Sequence, residues 1–217
     1  MPGPLDRLGR GAEEPLADYL ARHASSGAAD EGSPTGHRPG GTAIGRKVAA
    51  AAESFTGAGA LAVAGQSYRY DCSGLVEATL AKAGIPWEGS TAMLYDAAGA
   101  AGVLHHRHIP HVGDIAFFDN TYDRDGNGLL DDLRTHSAIV VGVDAEGTVD
   151  MVHLGSKGVV HLRMNLRHPH DRDVGGGEIL NDYLRAKSGG DPPGTEYLAG
   201  ELWAGFATFT EASNAED

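Results

Sequence analysis

The chain has 217 residues, which is enough for one domain with a sizeable core and too few for two full-sized domains. With 17 Lys and Arg against 30 Asp and Glu, its net charge of -13 disfavours binding to nucleic acids and to anionic lipid surfaces. No apolar run reaches the roughly 20 residues of a membrane helix, so we expect no membrane span, and the single cysteine excludes an internal disulfide.

The first predicted segment is a flexible arm over residues 1–43. Eight Gly and five Pro lie within residues 1–41, a composition that buries too little apolar area to offset the entropy of ordering. The first twenty residues contain no continuous apolar stretch of the kind that a secretory signal requires, so we expect no signal peptide in this chain. The rest of the predicted organisation is a domain over 44–210, with its core over 44–164 and a C-terminal extension over 165–210, and a disordered tail over 211–217.

The first half of the domain is predicted to be helical. Its clearest helix begins after Asp71, which can cap it, and ends before Gly84, a residue type that favours helix termination. Cys72 therefore lies in the first turn of this helix. The three predicted helices span residues 44–55, 72–83 and 90–98.

The second half changes to strands separated by short turns. The turns DAEG and GSKG join the last three strands into antiparallel hairpins. Helices followed by an antiparallel meander indicate an α+β domain. After the meander, residues 178–187 are predicted to be helical, and residues 195–209 fit either a helix or a closing strand. The predicted strands span residues 115–118, 137–143, 148–154 and 159–164.

Cys72 is the first candidate functional residue. In the first turn of a helix, unpaired backbone N–H groups and the positive end of the helix dipole favour a thiolate over a thiol. The alternative is a small buried side chain without a chemical role, because free cysteine is among the most buried residue types. The polar or minimal neighbours Asp71, Ser73 and Gly74 favour a nucleophile.

Two histidines are candidates for the base that a nucleophilic cysteine needs. If DAEG is the hairpin turn, Val143 faces Thr148. Ala138 then faces His153, and His136 lies two residues along the same face of its strand. Such diagonal neighbours are about 7 to 8 Å apart by Cα, which is close enough for two imidazoles to interact.

Other histidines are not expected to take part. Pairing across the GSKG turn puts His161 on the opposite face of the sheet, provided that neither turn contains a bulge. A zinc site draws its ligands from rigid elements at fitting spacing, whereas the remaining cluster precedes Pro110 in a predicted loop. We interpret the members of this cluster as solvated loop residues: His105, His106, His108 and His111.

The segments around the candidate residues together resemble the NlpC-type cell-wall cysteine peptidases. The resemblance rests on YDCSGLVEATLAKAGI, STAMLYDAAG, IPHVGDIAFF, THSAIVVG and VDMVHLGSKGVV, in that order and with similar spacing, and it covers residues 44–164. It implies a papain-like α+β fold, in which N-terminal helices include a cysteine-bearing helix packed on an antiparallel sheet. It also implies hydrolysis of peptidoglycan stem peptides, commonly between γ-D-glutamate and a diamino acid, with no cofactor required.

The resemblance also implies roles for individual residues. It matches Cys72 to the nucleophile, His136 to the general base and His153 to a third polar residue that holds the imidazole of the base and stabilises its charged form. Asp71 and Ser73 match positions that help to bind the free amino end of the stem peptide. Backbone N–H groups at the start of the cysteine helix would stabilise the oxyanion.

The chain departs from the family pattern in two places. The family often has a Tyr-x-Trp-Gly-Gly stretch before the cysteine, where this chain has AGQSYRYDCSG. Tyr68 and Tyr70 are therefore the nearest aromatic candidates for substrate binding. The second departure is an acidic insertion, Asp119–Thr135, which separates GDIAFF from His136.

The acidic insertion contains the spacing of a calcium-binding loop. In DNTYDRDGNGLLDDLRT, Gly128 takes the sixth position of an EF-hand loop, while Arg134 takes the twelfth, which normally holds a bidentate Glu. The alternative is a hairpin turn rich in Asp, Asn and Gly. A structural calcium site is therefore one of two interpretations, with ligands at positions 1, 3, 5 and 9: Asp123, Asp125, Asn127 and Asp131.

The expected partner is thus a peptidoglycan stem peptide, and the expected place of action is the cell envelope or the outside of the cell. Because no signal peptide is visible, delivery as an effector, processing to a mature chain and truncation all fit this expectation. Three alternative functions stay open: a related CHAP-like cell-wall amidase or endopeptidase, a thiol acyltransferase, and a non-catalytic wall-binding module. The sequence does not determine the oligomeric state.

Overall fold

The structure, a computed structural model, describes residues 41–208. The predicted arm up to residue 40 and the predicted tail over 211–217 lie outside the described residues. The described part contains four helices and eight strands, which confirms the α+β class. In chain order, the elements are α1 (Ala43–Glu53), β1 (Leu61–Val63), β2 (Gln66–Tyr68), α2 (Cys72–Ala83), α3 (Thr91–Ala100), β3 (Leu104–His105), β4 (Ile115–Phe118), β5 (His136–Val143), β6 (Thr148–Gly155), β7 (Gly158–Asn165), α4 (Ala199–Leu202) and β8 (Trp203–Ala207).

The three longer helices lie where the sequence predicts them, because their caps form. In α2, the side chain of Asp71 accepts a hydrogen bond from the backbone N–H of Gly74, and Gly84 ends the helix with a φ of 84°. Thr42 and Ser90 cap α1 and α3 in the same way. None of the described helices is long and apolar enough to cross a membrane.

The main sheet has six antiparallel strands in the order β3-β8-β4-β5-β6-β7, and β1 pairs with β2 in a separate hairpin. β8, the last strand along the chain, returns to the interior of the sheet between β3 and β4. This strand decides between the two predictions for residues 195–209, a helix or a closing strand. This segment forms a short helix, α4, followed directly by a closing strand, β8.

The predicted helix over residues 178–187 is wrong. The backbone N–H groups of Leu180, Asp182 and Leu184 donate to carbonyl groups of three other segments, and not to the carbonyl four residues earlier. One of these segments is β7, so this part of the C-terminal extension lies along the outer edge of the sheet. Tertiary pairing has overridden a weak helical propensity.

Both faces of the sheet are covered, so that β5 is buried on both sides at its start. The helices pack on one face, where the core includes Leu75, Leu80, Leu94, Phe117 and Ile139. The opposite face is covered by the C-terminal extension, and its core includes Phe118, Val140, Met151, Leu162 and Leu202. The first residues of β5 therefore lie in a setting from which water is largely excluded.

Candidate active site

Cys72 is the first residue of α2, and the chain approaches it through a tight turn. Oδ1 of Asp71 accepts hydrogen bonds from the N–H of Gly74 at 2.7 Å and from the hydroxyl of Ser73 at 3.3 Å. A Cβ atom at Gly74 would lie 1.9 Å from the carbonyl oxygen of Arg69, so only glycine fits this position. Asp71 and Ser73, which the resemblance matches to substrate binding, are thus bonded to each other at the helix start.

The thiol lies between the start of α3 and the start of β5. Its Sγ is 3.9 Å from Oγ1 of Thr91 and 4.0 Å from the carbonyl oxygen of Thr135. Thr91 is itself tied to β5, because its Oγ1 is 3.2 Å from Oγ of Ser137. The thiol also faces the backbone N–H of Ser137, so it contacts both residues that flank His136 in the chain.

The expectation that the helix start favours a thiolate is not met in the resting site. Burial raises the pKa of the Cys72 thiol above its ordinary value, and the nearby charge of Asp71 acts in the same direction. The hydroxyl of Thr91 and the N–H groups of Ser137 and Ser73 lower this pKa, but burial outweighs them. The thiol is therefore protonated at neutral pH, and a base has to remove its proton before or during attack.

The two candidate histidines form a buried pair. Nε2 of His136 lies 2.9 Å from Nδ1 of His153, and the two rings are nearly perpendicular, at 82°. Each residue is only 8% exposed. The predicted juxtaposition of His136 and His153 is thus confirmed.

The register that joins the histidines contains a bulge that the sequence prediction did not include. Near the turn, Val143 pairs with Val149 and not with Thr148 as predicted. The register shifts at Val141, and beyond this bulge Ile139 pairs with Val152, as the prediction requires. The error at the turn and the bulge cancel, so the histidines occupy the predicted positions.

His161 lies on the other face of the sheet, as predicted. It pairs with Val152 across β6 and β7, whose register contains no shift. Its ring is 2.9 Å from a carboxylate oxygen of Asp150 and 3.3 Å from one of Glu53. Both carboxylates raise the pKa of His161, in contrast to the buried pair.

Burial also sets the charge state of the pair. It lowers the pKa of His136 to about 3, and a charge on His153 would lower it further. Burial lowers the pKa of His153 to about 4, although the carboxylate of Asp182 acts in the opposite direction. Both imidazoles are therefore neutral at neutral pH, and one proton lies between Nε2 of His136 and Nδ1 of His153.

This shared proton determines which nitrogen of His136 can act as a base. If His136 donates through Nε2, its Nδ1 carries the free lone pair, and His153 accepts through Nδ1 while it holds its own proton on Nε2. When Nδ1 of His136 takes up a second proton, the bond to His153 stays intact and stabilises the new positive charge. The pair can thus accept a proton without rearrangement.

The structure brings the thiol to the backbone on either side of His136, but it does not join the two side chains. The His136 ring lies on the sheet face of Phe118 and Val140, which the C-terminal extension covers. The thiol lies on the opposite face, where the helices pack. Among residues 41–208, the hydrogen bond of the His136 ring is the one to His153. The thiol contacts instead the hydroxyl of Thr91 and the carbonyl of Thr135. Sequence analysis missed both threonines, because nothing local in their segments indicates that they meet the cysteine.

The two tyrosines before the cysteine have different surroundings. The hydroxyl of Tyr70 donates to the carbonyl of Ala58 at 2.6 Å, so it ties down the loop that precedes β1. Tyr68 packs partly against the core and lines a groove of about 1190 Å³ between the β1–β2 hairpin and the segment before α3. Trp87 and Met93 also line this groove, which ends beside the start of α3.

The acidic insertion forms turns and bends without regular secondary structure. Carboxylate oxygens of Asp123, Asp125 and Asp132 lie within 4.8 Å of one another. Two of the four predicted calcium ligands are therefore brought together with Asp132, which the spacing did not select. Asn127 bonds through its Nδ2 to the carboxylates of Asp125 and Asp131. The calcium site stays a prediction.

The prediction of solvated loop histidines is wrong for His105, and His111 is half-buried, with its Nδ1 excluded from solvent. His105 lies in β3, and its Nε2 is 3.1 Å from Oδ2 of Asp114 and 2.9 Å from Oγ1 of Thr208. Asp114 is almost fully buried, at 1% exposed. His105 therefore partners a buried carboxylate at the edge of the sheet.

Calcium binding can be measured directly. If the acidic insertion holds calcium, titration calorimetry on the full chain will give a saturable heat, and the melting temperature will rise with calcium. We expect Asp125→Asn to weaken binding about tenfold, because it removes one ligand charge. Asp171→Asn, at an exposed aspartate in the extension, serves as the control. Absence of heat together with an unchanged melting temperature would contradict the site.

The depressed pKa values of the buried histidines predict a loss of stability in mild acid. Below pH 6.5, the ordinary histidine pKa, both histidines take up protons in the unfolded chain but stay neutral in the folded one. The free energy of unfolding therefore falls with pH until the pH reaches the folded-state pKa, about 4 for His153 and about 3 for His136. Between pH 7 and pH 5 this costs up to about 2 kcal/mol per histidine.

Urea unfolding at these two pH values measures the loss. The double variant His136→Gln with His153→Gln carries no titrating ring there, so we expect that part of the pH dependence to be absent. His168→Gln, at an exposed histidine, controls for the loss of one imidazole. The same pH dependence in wild type and double variant would show that the pair is not held neutral by burial.

No protein-family model matches the chain. No curated protein and no solved structure matches it either.

Proposed function

We propose that this chain is a cysteine peptidase with a papain-like fold of the NlpC type, which hydrolyses an amide bond in peptidoglycan stem peptides. The observation that carries the proposal is the 2.9 Å contact between Nε2 of His136 and Nδ1 of His153, next to the residues that the Cys72 thiol contacts. This bond leaves Nδ1 of His136 to receive the thiol proton. Cys72 and the buried pair of His136 and His153 thus supply a nucleophile, a base and an orienting group.

In the acylation step, Sγ of Cys72 attacks the carbonyl carbon of the scissile amide, and its proton passes to Nδ1 of His136. The protonated His136 then gives this proton to the leaving nitrogen as the C–N bond breaks, which leaves a thioester on Cys72. The resting thiol and imidazole are both neutral, so transfer of the proton accompanies the attack. The two side chains are not in contact in the resting structure, so this step requires them to approach each other when substrate binds.

In the deacylation step, water attacks the thioester carbon, and His136 takes the water proton and returns it to the sulfur. The product is a free carboxylate, and the thiol is regenerated. Both steps place negative charge on the carbonyl oxygen of the substrate. The backbone N–H of Ser73 already faces the thiol at the positive end of α2, which is suited to stabilise such an oxyanion.

The substrate class comes from the resemblance of the DCSG, HSAIVVG and VHLGS segments to cell-wall peptidases. It places the scissile bond between γ-D-glutamate and a diamino acid, and it places the protein at the cell envelope or outside the cell. The reaction uses a thiol and two imidazoles, so no cofactor takes part in it. The groove that Tyr68 lines is the binding surface we assign to the stem peptide, since its lining extends to Ser90, the residue before Thr91.

Cleavage of purified muropeptides, followed by mass spectrometry, tests the proposal. Wild type will release new stem fragments, and Cys72→Ala will release none. We expect His136→Gln to lower kcat by about 10²- to 10⁴-fold, the usual contribution of a general base, and His153→Gln to lower it less. His161→Gln is the matched control, because this histidine lies on the other sheet face in contact with Asp150 and Glu53.

The outcomes separate the alternatives. Cleavage at another wall amide bond favours the related CHAP-like amidase or endopeptidase. Turnover that requires an added amine favours an acyltransferase. If wild type cuts nothing while a thiol-reactive probe labels Cys72, the wall substrate is contradicted and the nucleophile is retained. If the probe also fails to label Cys72, thiol chemistry is contradicted, and a wall-binding module becomes the better account.

A further inference from the structure

Arg134 has a backbone conformation that arginine rarely adopts. Its φ is 56°, in the left-handed region where an L side chain is disfavoured. The residue is the second-to-last of the acidic insertion and is followed by Thr135 and His136. Strain of this kind persists only where surrounding contacts hold it, and it is concentrated at functional sites.

One carboxylate holds Arg134 from two sides. Oδ1 of Asp119 accepts a hydrogen bond from the backbone N–H of Arg134 at 2.7 Å. The same carboxylate accepts from Nη1 of Arg134, at 2.6 Å through Oδ1 and at 2.7 Å through Oδ2. The carboxylate of Asp119 therefore fixes both the backbone and the side chain of Arg134, whereas an ordinary surface ion pair joins side chains only.

An aromatic ring holds the guanidinium from a third side. The central carbon of the guanidinium lies 3.7 Å from the ring centroid of Tyr95, in α3. Tyr95 is in turn packed edge-on against Phe117 of β4, with ring centroids 5.2 Å apart. Arg134 is thereby anchored to the same helix that brings Thr91 to the thiol.

Asp119 is anchored as well, at the other end of the insertion. It is the first residue after β4, and its N–H donates to the carbonyl of Leu202 at 2.9 Å. The contact between Asp119 and Arg134 thus joins the two ends of the insertion where they enter the sheet. We call this contact the Asp119–Arg134 latch.

The latch lies one peptide away from the candidate catalytic groups. The carbonyl oxygen of Thr135 is 4.0 Å from Sγ of Cys72, and His136 follows at the start of β5. Since the dihedral angles of Arg134 direct the next peptide, they determine where this carbonyl and the His136 backbone lie relative to the thiol. A change of φ to the ordinary negative region would move both groups.

We propose that Arg134 is a positioning residue, which the Asp119–Arg134 latch holds in the left-handed conformation so that the Thr135 carbonyl and the start of β5 keep their place against the Cys72 thiol. The assignment rests on the proposed function and adds to it that catalysis requires the Asp119–Arg134 latch. The insertion then has a role in the reaction that does not depend on calcium. Arg134 itself does not touch substrate.

Three variants and one control test the assignment. Arg134→Ala removes the guanidinium, Asp119→Asn removes the charge but keeps an oxygen acceptor, and Arg134→Lys keeps the positive charge. Arg124→Ala is the matched control, because Arg124 lies in the same insertion and its side chain pairs with Asp132. The readouts are kcat and KM on muropeptides, the rate of Cys72 alkylation by iodoacetamide against pH, and the melting temperature.

We expect Arg134→Ala to lower kcat by at least about tenfold, with KM changed by no more than about twofold, because misplacement of a catalytic group costs rate more than binding. Asp119→Asn is also expected to lower kcat. Arg134→Lys is expected to retain most of the wild-type rate, and Arg124→Ala to match wild type. Alkylation of Cys72 near neutral pH is expected to slow in Arg134→Ala and Asp119→Asn.

A purely structural latch would lower the melting temperature and leave the kcat of the folded protein unchanged, and this result would overturn the assignment. An alkylation profile identical to wild type in both Arg134→Ala and Asp119→Asn would overturn it as well. If wild type does not cut muropeptides, the proposed function fails, and the alkylation profiles alone decide the role of the latch.

Discussion

The hydrogen bond between the imidazoles of His136 and His153 is the interaction on which the candidate site depends. A polar group buried without a partner costs free energy, and both rings are buried. The 2.9 Å contact satisfies one nitrogen of each ring and fixes the orientation of His136. The bulge at Val141 brings the two histidines into register, so the pairing of β5 with β6 determines whether their rings can meet.

The thiol is held against the start of β5 by the packing of two helix starts on this strand. Gly74 lets α2 begin directly against the Arg69 carbonyl, and the contact between Thr91 and Ser137 holds the start of α3 on β5. The same packing buries the thiol and raises the pKa of Cys72. In the free protein the thiol and both imidazoles are therefore neutral, and charges are separated only during the reaction.

Local patterns were sufficient for the elements that depend on local contacts. The bounds of α2 follow from Asp71 and Gly84, whose capping roles are visible within a few residues. The helix predicted over residues 178–187 fails because its backbone bonds to distant segments. The register of the histidines was predicted correctly from a turn pairing that is wrong, because the Val141 bulge compensates for it.

The groups that the sequence could not indicate are those that meet the site from far along the chain. Thr91 and Tyr95 come from α3, and Asp119 comes from the end of β4. Each is an ordinary residue type in its own segment, and only the tertiary fold brings it to Cys72 or Arg134. The protonation state of the thiol was likewise mispredicted, because the local helix dipole is visible in the sequence and burial is not.

The rate of Cys72 alkylation by iodoacetamide, measured against pH in wild type and in His136→Gln, tests the coupling of thiol and imidazole most directly. Coupling predicts that wild type reacts faster than the variant near neutral pH, because His136 can accept the thiol proton as the sulfur attacks the reagent. At high pH, where the thiol ionises without help, the two rates should converge. Superimposable profiles over the whole pH range would contradict the account, since they would show that His136 does not act on Cys72.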